Sequence, residues 1–557
     1  MPPSDPHAPS LVLGPLLRHV DAVSATVWVE VDGACEVEVL GRRARTFRVG
    51  GHHYALVVVP DLEPGSATPY EVRLDGARVW PLAASPLPPS RIRTTGRRGE
   101  FVLGFGSCRF ATAADVEPRA HIPPDALQSY AVRIATEPED RWPDALALLG
   151  DQIYADELTP GTRSQLPPPD AAGRETGVAG FADYTRLYRE SWSQPEVRWL
   201  LATIPSSMIF DDHEMIDDWN TSAAWRRRVT AQPWWPERSA GGLASYWVYQ
   251  HLGNLSPQEL DEDPAWQALL ALGPTEDAEP ILRAMGRRAD TAPAGFRWSY
   301  VRTWGNVAMI MIDSRAGRVL EESGRRMLDD KEFTWVEAAT RRAVEDGVQH
   351  LILGTSLPWL LPSAIHTLER WNESLAARHQ GRWRGRLAEK LRQAADLEHW
   401  AAFDDSFERL GRALTCVARG AHGSAPSTVV VLSGDVHHAY AAELVQPSGL
   451  SARIHQLTVS PLHNQAPHPI RLGFRLGWSR WAKRLTAAMA RAARVAPTRL
   501  EWVKEAGPFF GNQIGELVLS GQDARFRLSV TDLGQSELRL VLDLPLSGSR
   551  PAVVLGS

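Results

Sequence analysis

The sequence predicts an α/β protein in two parts: a small β-sandwich over residues 8–97, then a layered α/β domain over 98–547. Two changes of pattern carry this prediction. Short alternating strands separated by turn clusters fill the first part. From residue 98, strands that are apolar on both faces alternate with helical stretches, and several end directly in Ser, Cys, Asp or His. Composition sets the frame. With 557 residues, 44% hydrophobic and 23% charged, the chain is globular and long enough for more than one core. Its 41 Pro and 43 Gly exclude a coiled-coil rod. A net charge of −6 supplies no general attraction for nucleic acid, so none is expected as an obligate partner.

In the first part, TVWVE (26–30), CEVEVL (35–40), HYALVVV (53–59) and PYEVRL (69–74) read as strands, and DLEPGSATP (61–69) as a turn cluster. The stretch LEPGSATPYEVRL resembles a late-strand corner of fibronectin type III domains, which implies a fibronectin-III-like sandwich with no catalytic role. Three cysteines, Cys35, Cys108 and Cys416, are too few for a disulfide framework. The N-terminus lacks the basic and apolar segments of a secretory signal. No window approaches 18 consecutive apolar residues, so a cytoplasmic chain is expected.

In the second part the clearest strands are FVLGFGSC (101–108), DALALLGD (144–151), SMIFDDHE (207–214), VAMIMIDSR (307–315), HLILGTS (350–356) and TVVVLSGD (428–435). Residues 157–180 read as a Pro/Gly-rich loop. Residues 219–290 read as an insertion, rich in Trp up to 247 and acidic and helical from 255. Such an aromatic cluster can wall a pocket, but packing is the commoner use. Residues 471–499 interleave Arg471, Arg475, Arg480, Lys483, Arg484, Arg491, Arg494 and Arg499 with Leu, Trp and Ala. Two readings fit: a basic amphipathic helix touching anionic lipid, or a surface helix whose arginine stems cover apolar neighbours, and the second is the commoner outcome. Alternation returns over 513–547, where strands are expected to close a second sheet.

Four strand ends carry the chemistry. LLGDQIYADE (148–157) delivers Asp151 after Gly150, with Tyr154 three residues on; a cation-bridging carboxylate needs such a tight turn on a rigid strand. MIFDDHEMIDDWN (208–220) packs Asp211, Asp212, Glu214, Asp217 and Asp218 around His213. That acid density is costly without a cation or solvent, and it favours a protonated imidazole suited to general-acid work. In VVVLSGDVHHAY (429–440), Asp435 and His437 share a face if the segment is extended, and His438 points away. GFGSCRF (104–110) ends in Cys108, with Arg109 placed to grip an anionic oxygen through its planar fork. Each residue alone fits a cap, a turn or a core side chain. Together, thiol, phenol, imidazole and carboxylate suit a transition metal, and the surplus of Asp suits Ca²⁺ or Mn²⁺.

The ordered set Ser107-Cys108, Gly150-Asp151-Gln152-Ile153-Tyr154, Asp211-Asp212-His213-Glu214 and Ser433-Gly434-Asp435-Val436-His437 resembles the calcineurin-type metallophosphoesterases, most closely the alkaline phosphatase D (PhoD-like) family. The resemblance covers roughly residues 98–470 and implies an αββα metallophosphoesterase fold. It implies that Asp151 bridges two metals, that Cys108, Tyr154 and His437 complete an Fe(III) site, and that Asp212, Asp435 and Asp217 hold Ca²⁺ or Mn²⁺. It further implies that His213 protonates the leaving oxygen and that Arg109 binds the phosphoryl group. Three features depart from the superfamily pattern: Cys108 stands where an Asp-x-His motif is usual, GTSLPW (354–359) lacks a metal-binding His, and Asp217 stands where Asn is expected. The implied activity is hydrolysis of small phosphate monoesters or diesters by a metal-activated water. The alternatives are a phosphodiesterase or phospholipase-like activity at a membrane surface, and a metal-stabilised binding module whose catalysis has decayed. A serine hydrolase is excluded, because neither GFGSC nor LILGTSLPW supplies Gly-x-Ser-x-Gly. The sequence leaves oligomeric state open.

Overall fold

The computed structural model describes residues 8–96, 99–111, 122–166, 177–445, 450–465, 468–548 and 553–554. Much of the stretch expected as a Pro/Gly-rich loop, 167–176, lies outside them.

The first part forms two four-stranded antiparallel sheets. One has the order Leu11–Val20, Ala25–Val31, His52–Val59, Phe47–Val49; the other runs Arg42–Arg45, Glu36–Val39, Val72–Leu74, Ala77–Trp80. Period-2 alternation splits each inner strand between two cores. Val27, Val29, Ala55 and Val57 pack with Val37, Val39 and Val72 inside the sandwich. Trp28, Tyr54 and Leu56 point outward, into the core of the second part. Polar anchors tie the same face down: Arg18 donates to the Gln250 carbonyl (2.7 Å) and to Asn254 Oδ1 (3.1 Å), and the Tyr54 and Tyr249 hydroxyls lie 3.0 Å apart.

The second part holds two seven-stranded sheets. The first has the order Ser206–Ile209, Ala145–Leu149, Phe101–Gly106, Gln513–Ser520, Asp523–Asp532, Gln535–Pro545, Val553–Val554. The second has the order Tyr300–Trp304, Val307–Ile312, His350–Thr355, Thr428–Ser433, Arg453–Thr458, Ala439–Leu444, Trp502–Phe509. Parallel pairing joins the first three strands of the first sheet and the middle strands of the second, which is why these strands read as unbroken apolar runs. Alternation again sorts the layers. Ala308, Ile310, Leu351, Leu353, Val429 and Val431 face the helices carrying Phe333 and Phe407. Met309, Met311, Ile352, Val430 and Leu432 face the other way and share a core with Phe105, Leu146 and Leu148 of the first sheet. The result is helix, sheet, sheet, helix.

The C-terminal strands correct one expectation. They extend the first sheet beside Phe101–Gly106, through antiparallel pairing of Phe101–Phe105 with Gly515–Leu519, rather than closing another sheet. Helices fill most of residues 223–291, and Trp219, Trp225, Trp235 and Trp247 are buried, so these aromatics serve packing. Among the described residues no helix is long and apolar enough to cross a membrane.

Candidate metal centre

The central parallel strands all end at one edge of the paired sheets, and the chemistry-bearing residues follow at once: Cys108 after Gly106, Asp151 after Leu149, Asp211–His213 after Ile209, and Asp435 and His437 after Ser433. Cross-links hold the ends together. Cys108 N donates to the Gly150 carbonyl (3.3 Å), and Asp435 N donates to Ser107 Oγ (3.1 Å). Two glycines make the approach possible. A Cβ on Gly150, whose φ is +122°, would meet the Asp211 Cβ at 2.7 Å, and one on Gly434 would meet Ser107 Oγ at 1.9 Å. Cys108, Asp151, Asp435 and His437 all adopt left-handed backbone conformations, with φ of 54°, 42°, 67° and 49°. Non-glycine residues avoid that region at a cost of about 1–3 kcal/mol each, and such strain gathers where side-chain aim matters.

The site forms the floor of a cavity of about 1040 Å³, whose wall includes Asp151, Asp212, His213, Asp217, Asp435 and His437. Asp151, Asp212 and His213 each offer a ligand atom within 4.8 Å of one another, and so do Asp211, Asp212 and Asp435. Asp212, rather than Asp151, is therefore common to both groups. Tyr154 donates to Asp151 Oδ2 (3.4 Å), and its oxygen accepts from Asn464 Nδ2 (3.0 Å). The Cys108 thiol lies 3.6 Å from the Asp435 carbonyl oxygen. Asp217 stays at the exposed rim, its Oδ1 3.9 Å from His213 Nε2, outside both carboxylate groups. Asp435 and His437 are left-handed, so the segment is not extended and alternation does not apply; the His438 Nδ1 pairs with the Val436 carbonyl.

Arg109 is not where the sequence reading put it. Its guanidinium is fully buried and donates to Asp125, Ser191 and Gln194, so it cannot reach a ligand in the cavity. The left-handed turn at Cys108 and the pairing with buried Asp125 direct Arg109 inward. The arginine at the centre is Arg315, which follows the strand Val307–Ile312. It is fully buried and paired with Asp211 and Glu398, and lies 3.4 Å from Asp212 and 3.2 Å from Asp435. Ser356, in the GTSLPW segment, donates to Asp211 Oδ1 (3.0 Å). Three further residues escaped the sequence reading. Asp156 accepts from His213 Nδ1 at 2.9 Å. His399 bridges Glu369 (2.7 Å) and Asp435 Oδ2 (3.2 Å). Asn464 is the third.

Electrostatics describe a crowded acid cluster. Burial, reinforced by Asp211 and Asp212 and opposed by His213, pushes the Asp151 carboxyl well above its ordinary value. Asp211 is raised by burial and by Asp435 and Asp212, against the pull of Arg315. Burial raises the Cys108 thiol, as do Asp151 and Asp435. Burial opposes charge on His213, but Asp156, Asp212 and Asp151 outweigh it and raise the imidazole well above its usual value. His437 goes the other way: burial lowers it to about 4, leaving a neutral imidazole. The residues fit a bound cation. Asp151 Oδ1 and Asp211 Oδ2 are buried with no hydrogen-bond partner, and unpaired buried carboxylate oxygens are costly unless a cation supplies the partner. The donor set of thiol, phenol, neutral imidazole and carboxylates suits a transition metal beside a harder ion.

A family model described as PhoD-like phosphatase matches residues 127–509, and one described as a domain of unknown function (DUF7800) matches residues 8–92. Among solved structures, that of PhoD aligns over 100% of this chain and 94% of its own, with 13% identity and a TM-score of 0.59. The purple acid phosphatase PPD1 from yellow lupin (Lupinus luteus) seeds aligns over 97% of this chain and 74% of its own, with 11% identity and a TM-score of 0.48. No curated protein matches the chain. At such identity, the likeness to PhoD is one of fold.

Proposed function

The chain belongs to the PhoD-like phosphatase family, and from that premise we propose that this phosphoester hydrolase cleaves small phosphate monoesters or diesters, with His213 as the proton donor to the departing oxygen. The observation that carries the reading is the placement of His213. Its Nδ1 is anchored by Asp156, Nε2 is left on the side of the rim residue Asp217, and the ring stands 4.4 Å from the Tyr154 ring, beside carboxylate oxygens that lack partners. Catalysis belongs to residues 98–547, with the helical insertion near 219–290, and the sandwich of residues 8–97 supports it.

Cys108, Asp151, Tyr154 and His437 would hold an Fe(III)-like ion, and Asp212 with Asp435 would hold Ca²⁺ or Mn²⁺. Asp217 is the outermost candidate for that second ion. Such ions supply Lewis acidity at a phosphoryl oxygen and lower the pKa of water. The chain's own residues do the rest. Asp156 fixes the ring of His213 and stabilises its cationic form, so the proton waits at Nε2. Burial, with Asp151 and Cys108, raises the Tyr154 phenol well above its usual value, and the hydrogen bond from Asn464 opposes them, toward the phenolate that a ligand must be. His437 is already neutral, as ligation requires. Arg315 spreads positive charge across Asp211, Asp212 and Asp435 and limits how much added charge the cluster needs.

The test is hydrolysis of p-nitrophenyl phosphate and its bis-ester with Ca²⁺, Mn²⁺ or iron, beside elemental analysis of the purified protein. Asp151→Ala should lose both turnover and bound metal; an Asp151→Ala variant with full turnover would sink the reading. His213→Gln should lose about 10²–10⁴-fold on alkyl phosphates, whose leaving groups need a proton, and much less on p-nitrophenyl phosphate.

A further inference from the structure

The helices His468–Gly477 and Arg480–Ala492 leave large apolar residues on their solvent side. On Arg480–Ala492, the side toward the protein carries Ala490, buried, with Ala482, Thr486 and Met489 partly so. The solvent side carries the large apolar residues: Trp481 is 68% exposed and Leu485 46%, four residues apart on one face. Leu472 and Leu476 repeat the spacing on the neighbouring helix, at 58% and 49%. Arginine stems do not cover this stripe. Instead Arg475, Arg480, Lys483, Arg484 and Arg491 stand exposed around it. No Asp or Glu lies anywhere between Glu443 and Glu501, in a chain whose net charge is −6. Both helices pack on helix Ser363–Arg378, and Gly473 and Phe474 line the cavity together with Ile365 and Leu368 of that helix.

We propose that this face docks the protein on an anionic lipid surface, with Trp481, Leu472, Leu476 and Leu485 entering the interface and the surrounding cations contacting lipid headgroups. The charge pattern selects the occupant. A second copy would set two basic faces against each other, and a neutral apolar partner would leave the cations without counter-charge. A bilayer carrying acidic headgroups satisfies both the apolar stripe and its cationic border. Because the same helices reach the cavity wall, docking would bring the cavity mouth close to the headgroup layer. The inference concerns binding and stands apart from the hydrolytic reading, since it is measured without turnover.

The experiment is co-sedimentation of the full chain with phosphatidylcholine vesicles and with vesicles containing phosphatidylglycerol, at low and high salt, without added divalent cation. Binding is expected only to the anionic vesicles and should weaken as salt rises. The pair Lys483→Glu/Arg484→Glu should weaken it by at least about tenfold. Trp481→Ser should weaken it several-fold at any salt. All three substitutions are at exposed positions, and an unchanged melting temperature confirms folding. No binding at low salt, equal binding to neutral vesicles, or full binding by the charge-reversed pair would overturn the proposal. So would a dimer in solution that Trp481→Ser dissolves, since the face would then belong to a second copy.

Discussion

Replacing Arg315 with methionine removes a cation that stands among four carboxylates at once, Asp211, Asp212 and Glu398 buried and Asp435 partly so. Arg315 and Asp211 are both fully buried, and Asp212, Glu398 and Asp435 also pair with the guanidinium. Removing one partner of a buried ion pair costs about 3–5 kcal/mol, because the other charge is left uncompensated. Unfolding entropy near 2.1 cal/mol/K per residue gives about 1.2 kcal/mol/K for a chain of this length, so Arg315→Met should lower the melting temperature by about 3–4 °C if the chain unfolds as a unit. Two conditions should reduce the loss. Millimolar Ca²⁺ or Mn²⁺ should restore part of it, because a cation can take up the charge the guanidinium carried. Lower pH should restore part as well. Without Arg315 the carboxylates titrate higher in the folded state than in the unfolded one, so the penalty grows as pH rises and shrinks as they protonate. Differential scanning fluorimetry with and without divalent cation, at pH 5 and pH 8, reads all of this. A melting temperature within about 1 °C of wild type, or a loss indifferent to both cation and pH, would refute the reasoning.

Three other substitutions probe the site. Asp156→Asn removes the charge that raises His213, so the alkaline limb of the kcat profile should move to lower pH by about one to two units, the worth of one charge-assisted hydrogen bond; an unmoved limb would remove His213 from the proton transfer. Gly434→Ala places a methyl group on Ser107 Oγ and should cost about 1–3 kcal/mol together with most activity, while Ser107→Gly in the same chain should recover part of both; denaturant midpoints and turnover check it. In iron-loaded protein, Asn464→Leu should shift the tyrosinate-to-iron absorption band to longer wavelength, because a phenolate that loses its hydrogen bond gives up electrons more easily; an unchanged band would place Tyr154 off the metal.

Much of the framework could be read from residue order. Five of the six strands of the layered region lie within three residues of their sequence-based bounds, because apolar runs ending in polar residues are what a buried parallel strand requires; the sixth, read as 207–214, stops at Ile209, where the acidic turn begins. The four motifs converge for the same reason, since parallel strands deliver their ends to one edge. What escaped the reading were partnerships across the chain. Arg315 looked like the tail of a strand, and its role comes from carboxylates on three other segments. Asp156 sits inside a motif already read for Asp151 and Tyr154, and only the fold shows that it faces His213. Asn464 and His399 carry no local signal at all. Arg109 was misread because adjacency to Cys108 was taken for a shared direction, whereas a left-handed turn at Cys108 and the buried Asp125 send it inward. The exposure of Trp481 could not be read from the sequence, since whether arginine stems cover a stripe is a property of packing.

The seam between the sandwich and its neighbour has a consequence for anyone who would trim or exchange modules. Trp28, Tyr54 and Leu56 are borrowed by the enzyme's interior, and Arg18 satisfies a carbonyl and an amide oxygen on the insertion. Cutting the chain near residue 97 would open a hydrophobic wound and take the arginine away from the Gln250 carbonyl, leaving Asn254 Oδ1 only the Met208 amide. A substitute module would have to bring an arginine and a tyrosine to the same two places. The front of this molecule is thus less an appendage than a missing wall of the room behind it.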